Sequence, residues 1–264
     1  MGFFDHSGPL VFAHRGGRAL APENTLLALD AGLRAGADGL ECDVRLSRDG
    51  VPVVIHDAMV DRTTNATGPV HAYTAAELAR MDAAWQFEQE GGFPWRGQGV
   101  GVPTLSEVLA RYRDCRLIIE MKDDVPELGQ AVAALLRRES SRERFCAAGF
   151  GARPVRALRR ELPDVATSAH MAEVRAALYG SWAGWPVQGR GYGGYQIPEV
   201  RGVLRVVSRR FVRLAHRAGH KVQVWTVNAE EDMQRLLGWG VDALITDRPD
   251  LASRTVRRDG PAPG

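Results

Sequence analysis

Lysine is almost missing from this chain of 264 residues: of its 34 basic side chains only two, Lys122 and Lys221, are lysines, and the rest are arginines. Cysteine is scarce too. Cys42, Cys115 and Cys146 form an odd, scattered set with no CxxC pair, which argues against a disulfide framework and fits free thiols in a reducing compartment. No run approaches the roughly 20 apolar residues of a membrane span. The opening MGFFDHSGPL has no basic n-region or long apolar stretch, so no secretion signal is expected and the expected location is cytoplasmic. Nor is there an excess of one charge. The 34 basic and 32 acidic residues nearly cancel, and no stretch gathers the arginines into the stripe that a nucleic-acid partner requires. What remains is 45% hydrophobic and 25% charged, enough for a large core and incompatible with disorder. The length suits one α/β barrel of about 250 residues or two domains of about 100–150 each.

The order of the chain favours the barrel. Short β-rich runs read at Leu10 to Ala13, Leu40 to Leu46, Val51 to Ile55, Arg116 to Met121, Arg144 to Ala148, Val165 to Ala169, Tyr195 to Ile197, Lys221 to Val227 and Ala243 to Thr246. Helical patterns lie between them, the first over Thr25 to Gly36 with Asn24 as its expected cap. Others read at Leu105 to Arg113, Glu127 to Glu139, Val155 to Glu161, Ala172 to Tyr179, Arg209 to Ala218 and Glu231 to Trp239. Merging the second and third runs as one strand with a hairpin-like extension gives eight βα units, hence a single-domain TIM (β/α)8 barrel. Residues 58–103 form an insertion far longer than the usual 2–6 residue βα loop. Its aromatic patch, Trp85, Phe87, Phe93 and Trp95, is expected either to wall a site on the C-terminal face or to belong to a satellite unit with its own apolar cluster. Residues 180–194 read as an irregular connection, and the tail from Ser253 as frayed.

Ionisable residues of complementary kinds gather at strand ends, where a barrel carries its active site. The first strand runs into His14 and Arg15. Glu41 and Asp43, two apart, share one face of the second, and its extension ends at His56 and Asp57; Glu120 and Lys122 share a face of the next. Three inward carboxylates cannot all stay ionised and unpaired in a partly buried mouth. A hard divalent cation, Mg²⁺ or Ca²⁺, held by Glu41, Asp43 and Glu120 resolves the conflict; a salt bridge to Arg45 or another arginine is the competing reading. Alternation turns Cys42 to the opposite face, as a core residue. A lysine at position 122 of so arginine-rich a chain suggests a need for a compact ammonium charge. His14 and His56 can divide general acid and base work near neutral pH. His216 and His220 flank an expected helix C-terminus, where capping is the favoured role.

The strings AHRGG (13–17), PENT (22–25), ECD (41–43), HD (56–57), RTTNATG (62–68), PTL (103–105), IEMK (119–122), VWTVN (224–228) and GVDALITDRP (240–249) occur in one order over about residues 10–252. Together they resemble the glycerophosphodiester phosphodiesterase family. The resemblance implies a TIM-barrel enzyme that cleaves glycerophosphodiesters to glycerol phosphate and an alcohol with divalent-metal help. It places Glu41, Asp43 and Glu120 as metal ligands, His14 and His56 as the acid/base pair, and Arg15 and Lys122 on the phosphate. Glu23 would stand near the site, Trp225 against the glycerol moiety and Gln196 at the end of the sixth barrel strand. Two alternatives stay open: a phospholipase D-like transfer on a lysolipid that yields a cyclic phosphate, and a barrel that binds phosphodiesters without cleaving them. The substrate is expected to be a small molecule.

Overall fold

The computed structural model describes residues 2–185, 189 and 191–259, the side chains of 258 and 259 excepted. Eleven strands occur among them: β1 (Leu10–Ala13), β2 (Gly39–Leu46), β3 (Pro52–Val54), β4 (Arg116–Met121), β5 (Phe145–Gly149), β6 (Ala166–Thr167), β7 (Gly194–Pro198), β8 (Val200–Arg201), β9 (Leu204–Arg205), β10 (Lys221–Trp225) and β11 (Ala243–Thr246). Eight of these run in parallel in the order β6-β5-β4-β2-β1-β11-β10-β7, with β3 antiparallel on β2 as the hairpin extension. A bridge between Ser168 and Gly194 brings the two ends of this sheet together, so the eight strands form the expected TIM barrel.

Alternation along the strands separates two environments. On β2, Leu40, Cys42 and Val44 face an outer apolar layer that also holds Leu29, Leu105, Val108 and Val132 of the flanking helices. Glu41 and Asp43, of the other parity, face the barrel interior. The interior below them is filled by Phe12, Ile118, Cys146, Ala243 and Ile245, and by Phe3, whose ring stacks on Phe12 at 5.7 Å. The N-terminal segment thus plugs the barrel floor, a role that its composition did not advertise.

Around the barrel lie α1 (Leu26–Arg34), α2 (Ala75–Ala79), α3 (Leu105–Arg111), α4 (Pro126–Leu136), α5 (Ala152–Glu161), α6 (Met171–Ala183), α7 (Arg209–Arg217), α8 (Glu230–Leu237) and α9 (Pro249–Asp259). None is long and apolar enough to cross a membrane. Three expectations need correction. Thr25, not Asn24, caps α1, its Oγ1 accepting from the Ala28 N–H at 3.2 Å; Asn24 is turned into the left-handed region at φ 58 and is engaged elsewhere. Residues 253–259 are not frayed but belong to α9, where Ala252 and Thr255 are buried and Ser253 Oγ donates to the Gly36 carbonyl at 2.8 Å. Residues 180–183 continue α6 and are not irregular; 186–188, 190 and 260–264 lie outside the described residues.

The insertion packs Val60, Val70, Leu78 and Val102 against Val53 of β3 and Ile55 just after it, in a cluster separate from the barrel core. Of its aromatics, Trp85 and Phe93 gather on the Arg96 guanidinium, at 4.5 and 3.6 Å from the ring centroids.

The turn after β1 is pressed against α1. Gly16 has φ +84, and a Cβ there would stand 2.5 Å from the backbone of Ala28 and Leu29. Gly16→Ala should therefore cost about 1–3 kcal/mol, read as a lower urea midpoint; an unchanged midpoint would show that the turn yields freely.

Candidate active site

His14, Arg15, Glu41, His56, Glu120, Lys122, Gln196 and Trp225 line one cavity of about 900 Å³. They meet there because the barrel sets strand ends side by side: β2 and β4 pair with Asp43 opposite Glu120, and His14, Lys122 and Phe150 are the first residues after β1, β4 and β5.

One carboxylate oxygen from each of Glu41, Asp43 and Glu120 lies within 4.8 Å of the others. The competing pairing with Arg45 does not form, since that side chain reaches Asp123 and the His56 carbonyl. Asp43 instead meets Arg15 Nε at 3.1 Å and Lys122 Nζ at 3.4 Å, and Asn24 clamps it with Nδ2 donating to Oδ2 at 2.9 Å and Oδ1 accepting the Asp43 N–H at 3.1 Å. Lys122 Nζ also donates to Glu120 Oε1 at 3.1 Å. Glu41 accepts the Arg15 backbone N–H at 2.8 Å, for which Arg15 takes φ 51, and its Oε1 is buried with no hydrogen-bond partner among the described residues.

The three acids are consequently unlike. Burial and then the Asp43 charge push the Glu41 carboxyl up to about 8. Burial and Asp43 also raise Glu120. Burial acts the same way on Asp43, but Arg15 and Lys122 overcome it and hold that carboxyl below its ordinary range.

Both histidines are held at Nδ1 by a carboxylate. His14 Nδ1 lies 2.7 Å from Asp247 Oδ1, and His56 Nδ1 lies 2.6 Å from Asp57 Oδ1. Nε2 of each ring makes no hydrogen bond among the described residues, that of His14 standing 4.0 Å from Glu41 Oε2. Burial opposes a proton on His14, but the Asp247 hydrogen bond and the Glu41 charge raise its pKa above the ordinary value; burial, with Arg15 nearby, lowers that of His56.

Glu23 does not line the large cavity. Its carboxylate is taken up by Arg15 at 2.8 Å and by two nitrogens of Arg62, at 2.7 and 2.9 Å. Arg62 also pairs with Asp57, so the insertion braces both Arg15 and the His56 partner. Gln196 projects from β7 into the barrel, its Nε2 donating to Gln223 Oε1 at 2.9 Å, and Trp225 meets Phe150 edge-on at 5.7 Å. The His216 side chain pairs with Asp242 at 2.7 Å and does not cap, whereas His220 closes the end of α7 through its backbone N–H, which donates to the Ala215 carbonyl at 2.9 Å, while its ring stacks on Tyr192. Asp247, which follows β11, was legible by the rule that found Glu120, and its role in holding His14 was overlooked. The apolar wall from α6 was overlooked as well.

The model of the glycerophosphoryl diester phosphodiesterase family matches residues 14–251. The chain belongs to that family. A glycerophosphodiester phosphodiesterase of Caldanaerobacter subterraneus is 32% identical over 258 residues, covering 95% of this chain and 99% of the relative. Among solved structures, the glycerophosphoryl diester phosphodiesterase domain of a Mycobacterium tuberculosis protein superposes with a TM-score of 0.82 over 94% of this chain and 99% of that one, at 24% identity. An Oleispira antarctica phosphodiesterase in complex with the product sn-glycerol-3-phosphate gives 0.74 at 27% identity, covering 94% of this chain and 97% of that one.

Within this phosphodiesterase the Glu23 network has a pH signature. Despite burial, the Arg62 hydrogen bonds and the Arg15 charge bring its carboxyl from 4.5 down to about 2. A lowered folded pKa means that the stabilisation is complete above the unfolded value and is lost as pH falls through the folded one. Glu23→Gln should lower the urea midpoint at neutral pH, and its gap from the parent protein should close below about pH 4.5. A gap constant down to about pH 3 would contradict this.

Proposed function

We propose that this chain hydrolyses glycerophosphodiesters to glycerol 3-phosphate and an alcohol, with Glu41, Asp43 and Glu120 holding a divalent cation and His14 and His56 moving the protons. The observation that carries the reading is the convergence, in one cavity, of three carboxylate oxygens within 4.8 Å, two cations and two imidazoles each held at Nδ1 by a carboxylate. The family and the product-bound relative support it.

The acid cluster fits a metal on its own chemistry. It offers oxygen donors, and the buried Glu41 Oε1 lacks a partner among the described residues, which suits a hard ion such as Mg²⁺ or Ca²⁺. Such an ion, when bound, supplies charge for the phosphoryl oxygens. Lys122 and Arg15 supply more, from ammonium and guanidinium groups already fixed by Asp43, Glu120 and Glu23. One imidazole Nε2 accepts the proton of the nucleophile as its oxygen bonds to phosphorus; water gives glycerol 3-phosphate directly, and the glycerol 2-hydroxyl gives a cyclic phosphate that a water molecule then opens in the same way. The other donates a proton to the alkoxide as the opposite P–O bond breaks, so the leaving group departs as a neutral alcohol. Asp247 and Asp57 hold the two rings in the orientation this exchange needs. The unpaired thiols support a reducing compartment, the cytoplasm, as its location.

His14→Ala and His56→Ala should each lower kcat by about 10²–10⁴-fold in protein that still unfolds in one cooperative transition, and a chelator should abolish release of glycerol 3-phosphate from glycerophosphocholine. Near-normal turnover in either variant, or full activity in chelator, would overturn the scheme.

A further inference from the structure

The cavity that holds the carboxylates does not end with them. Beyond Phe150 and Trp225 it continues between α6 and the hairpin formed by β8 and β9, and there its lining changes character. Met171, Val174 and Leu178 stand at i, i+3 and i+7 on one face of α6, and Val200, Leu204 and Val206 lie on the hairpin and just after it. Leu178 and Val206 are each 5% exposed, so the arm has a closed floor.

Its outer part is open. Four large hydrophobic side chains of its lining, Phe150, Tyr179, Val200 and Leu204, are exposed. The two cations lining this part, Arg175 and Arg201, are exposed. Neither glycerol nor phosphate has apolar surface to match such a lining. A polyol in the arm would leave its hydroxyls without partners.

We propose that this arm is a substrate subsite and that its occupant is an aliphatic chain of the phosphodiester itself. The inference rests on the hydrolase reading above and adds the substrate class: a glycerophosphodiester that carries a chain, either as the esterified alcohol or as an acyl group on the glycerol. Continuity favours this occupant, because one cavity runs from the phosphate-binding cations to the apolar floor, so a polar head and an attached chain fit it end to end. The aromatics of the insertion take no part, since no residue between 58 and 103 lines the cavity.

The test uses the full chain and two substrate series, each kept below its aggregation concentration. One is the ethyl, butyl, hexyl and octyl esters of glycerophosphate. The other is glycerophosphocholine bearing butanoyl, hexanoyl or octanoyl on its glycerol. In one series KM should fall about fourfold per added methylene with kcat unchanged, as uniform binding requires, and the responding series tells where the chain is attached. Val200→Glu with Leu204→Glu, both at exposed positions, should flatten that dependence. If the ethyl ester releases no glycerol 3-phosphate, the hydrolase reading fails. The subsite is then read by calorimetry of the same esters in chelator, which should give the same dependence in affinity. Equal KM and equal affinity along both series would overturn the subsite, as would a rate that rises only above the aggregation concentration, which would mark a surface for lipid aggregates.

Discussion

Three acids from two neighbouring strands share one buried volume, and the electrostatics of the mouth follow from that crowding. A carboxylate moved out of water without compensation costs far more than a fold can absorb, so each must be neutralised, paired or hydrogen-bonded. Two cationic side chains reach the three acids. Both touch Asp43; Lys122 also serves Glu120, while Arg15 is shared with Glu23. Glu41 receives only a backbone N–H from Arg15 and a distant imidazole, His14 Nε2 at 4.0 Å. It is the acid without a cation of its own, and burial with the Asp43 charge pushes it up to about 8. The deficit of one positive charge is the physical argument for an ion at this place.

The supporting groups make sense as devices that hold the cations and rings while leaving the deficit in place. Arg15 and Asn24, in the left-handed region, aim a backbone N–H at Glu41 and an amide at Asp43. Such conformations are strained and persist only where their surroundings fix them; Gly16 against α1, and the Glu23–Arg62 pairing, do so here. The insertion contributes through Arg62 and not through its aromatics.

Much of this was legible before any coordinates. Glu41, Asp43 and Glu120 stood out because the two-residue period of a strand forces them to one side, and His14, His56 and Lys122 because barrels place chemistry just past strand ends. The alternation of short β-rich runs with helical patterns gave the eight-stranded count. What was not legible depends on contacts that no local pattern encodes. Asn24 and Thr25 are both good caps, and only the position of Asp43 decides between them. Asp247 was legible as a strand-end acid, but its partner was not, because the His14 ring it holds lies 233 residues away. Residues from Ser253 on looked frayed as a chain terminus, and what orders them in α9 is a distant contact, Ser253 Oγ on the Gly36 carbonyl. In α6 apolar residues lie both on the cavity face and off it, as at the exposed Trp182, which blurred the wall they build.

The account stands on the charge deficit at Glu41, Asp43 and Glu120, and metal-linked stability tests it without reference to turnover. Saturating Mg²⁺ or Ca²⁺, at about a hundredfold its dissociation constant, should raise the thermal midpoint by about 5–10 °C. In Glu41→Gln with Glu120→Gln the shift should vanish. No shift in the parent protein, or the same shift in the double variant, would contradict the account.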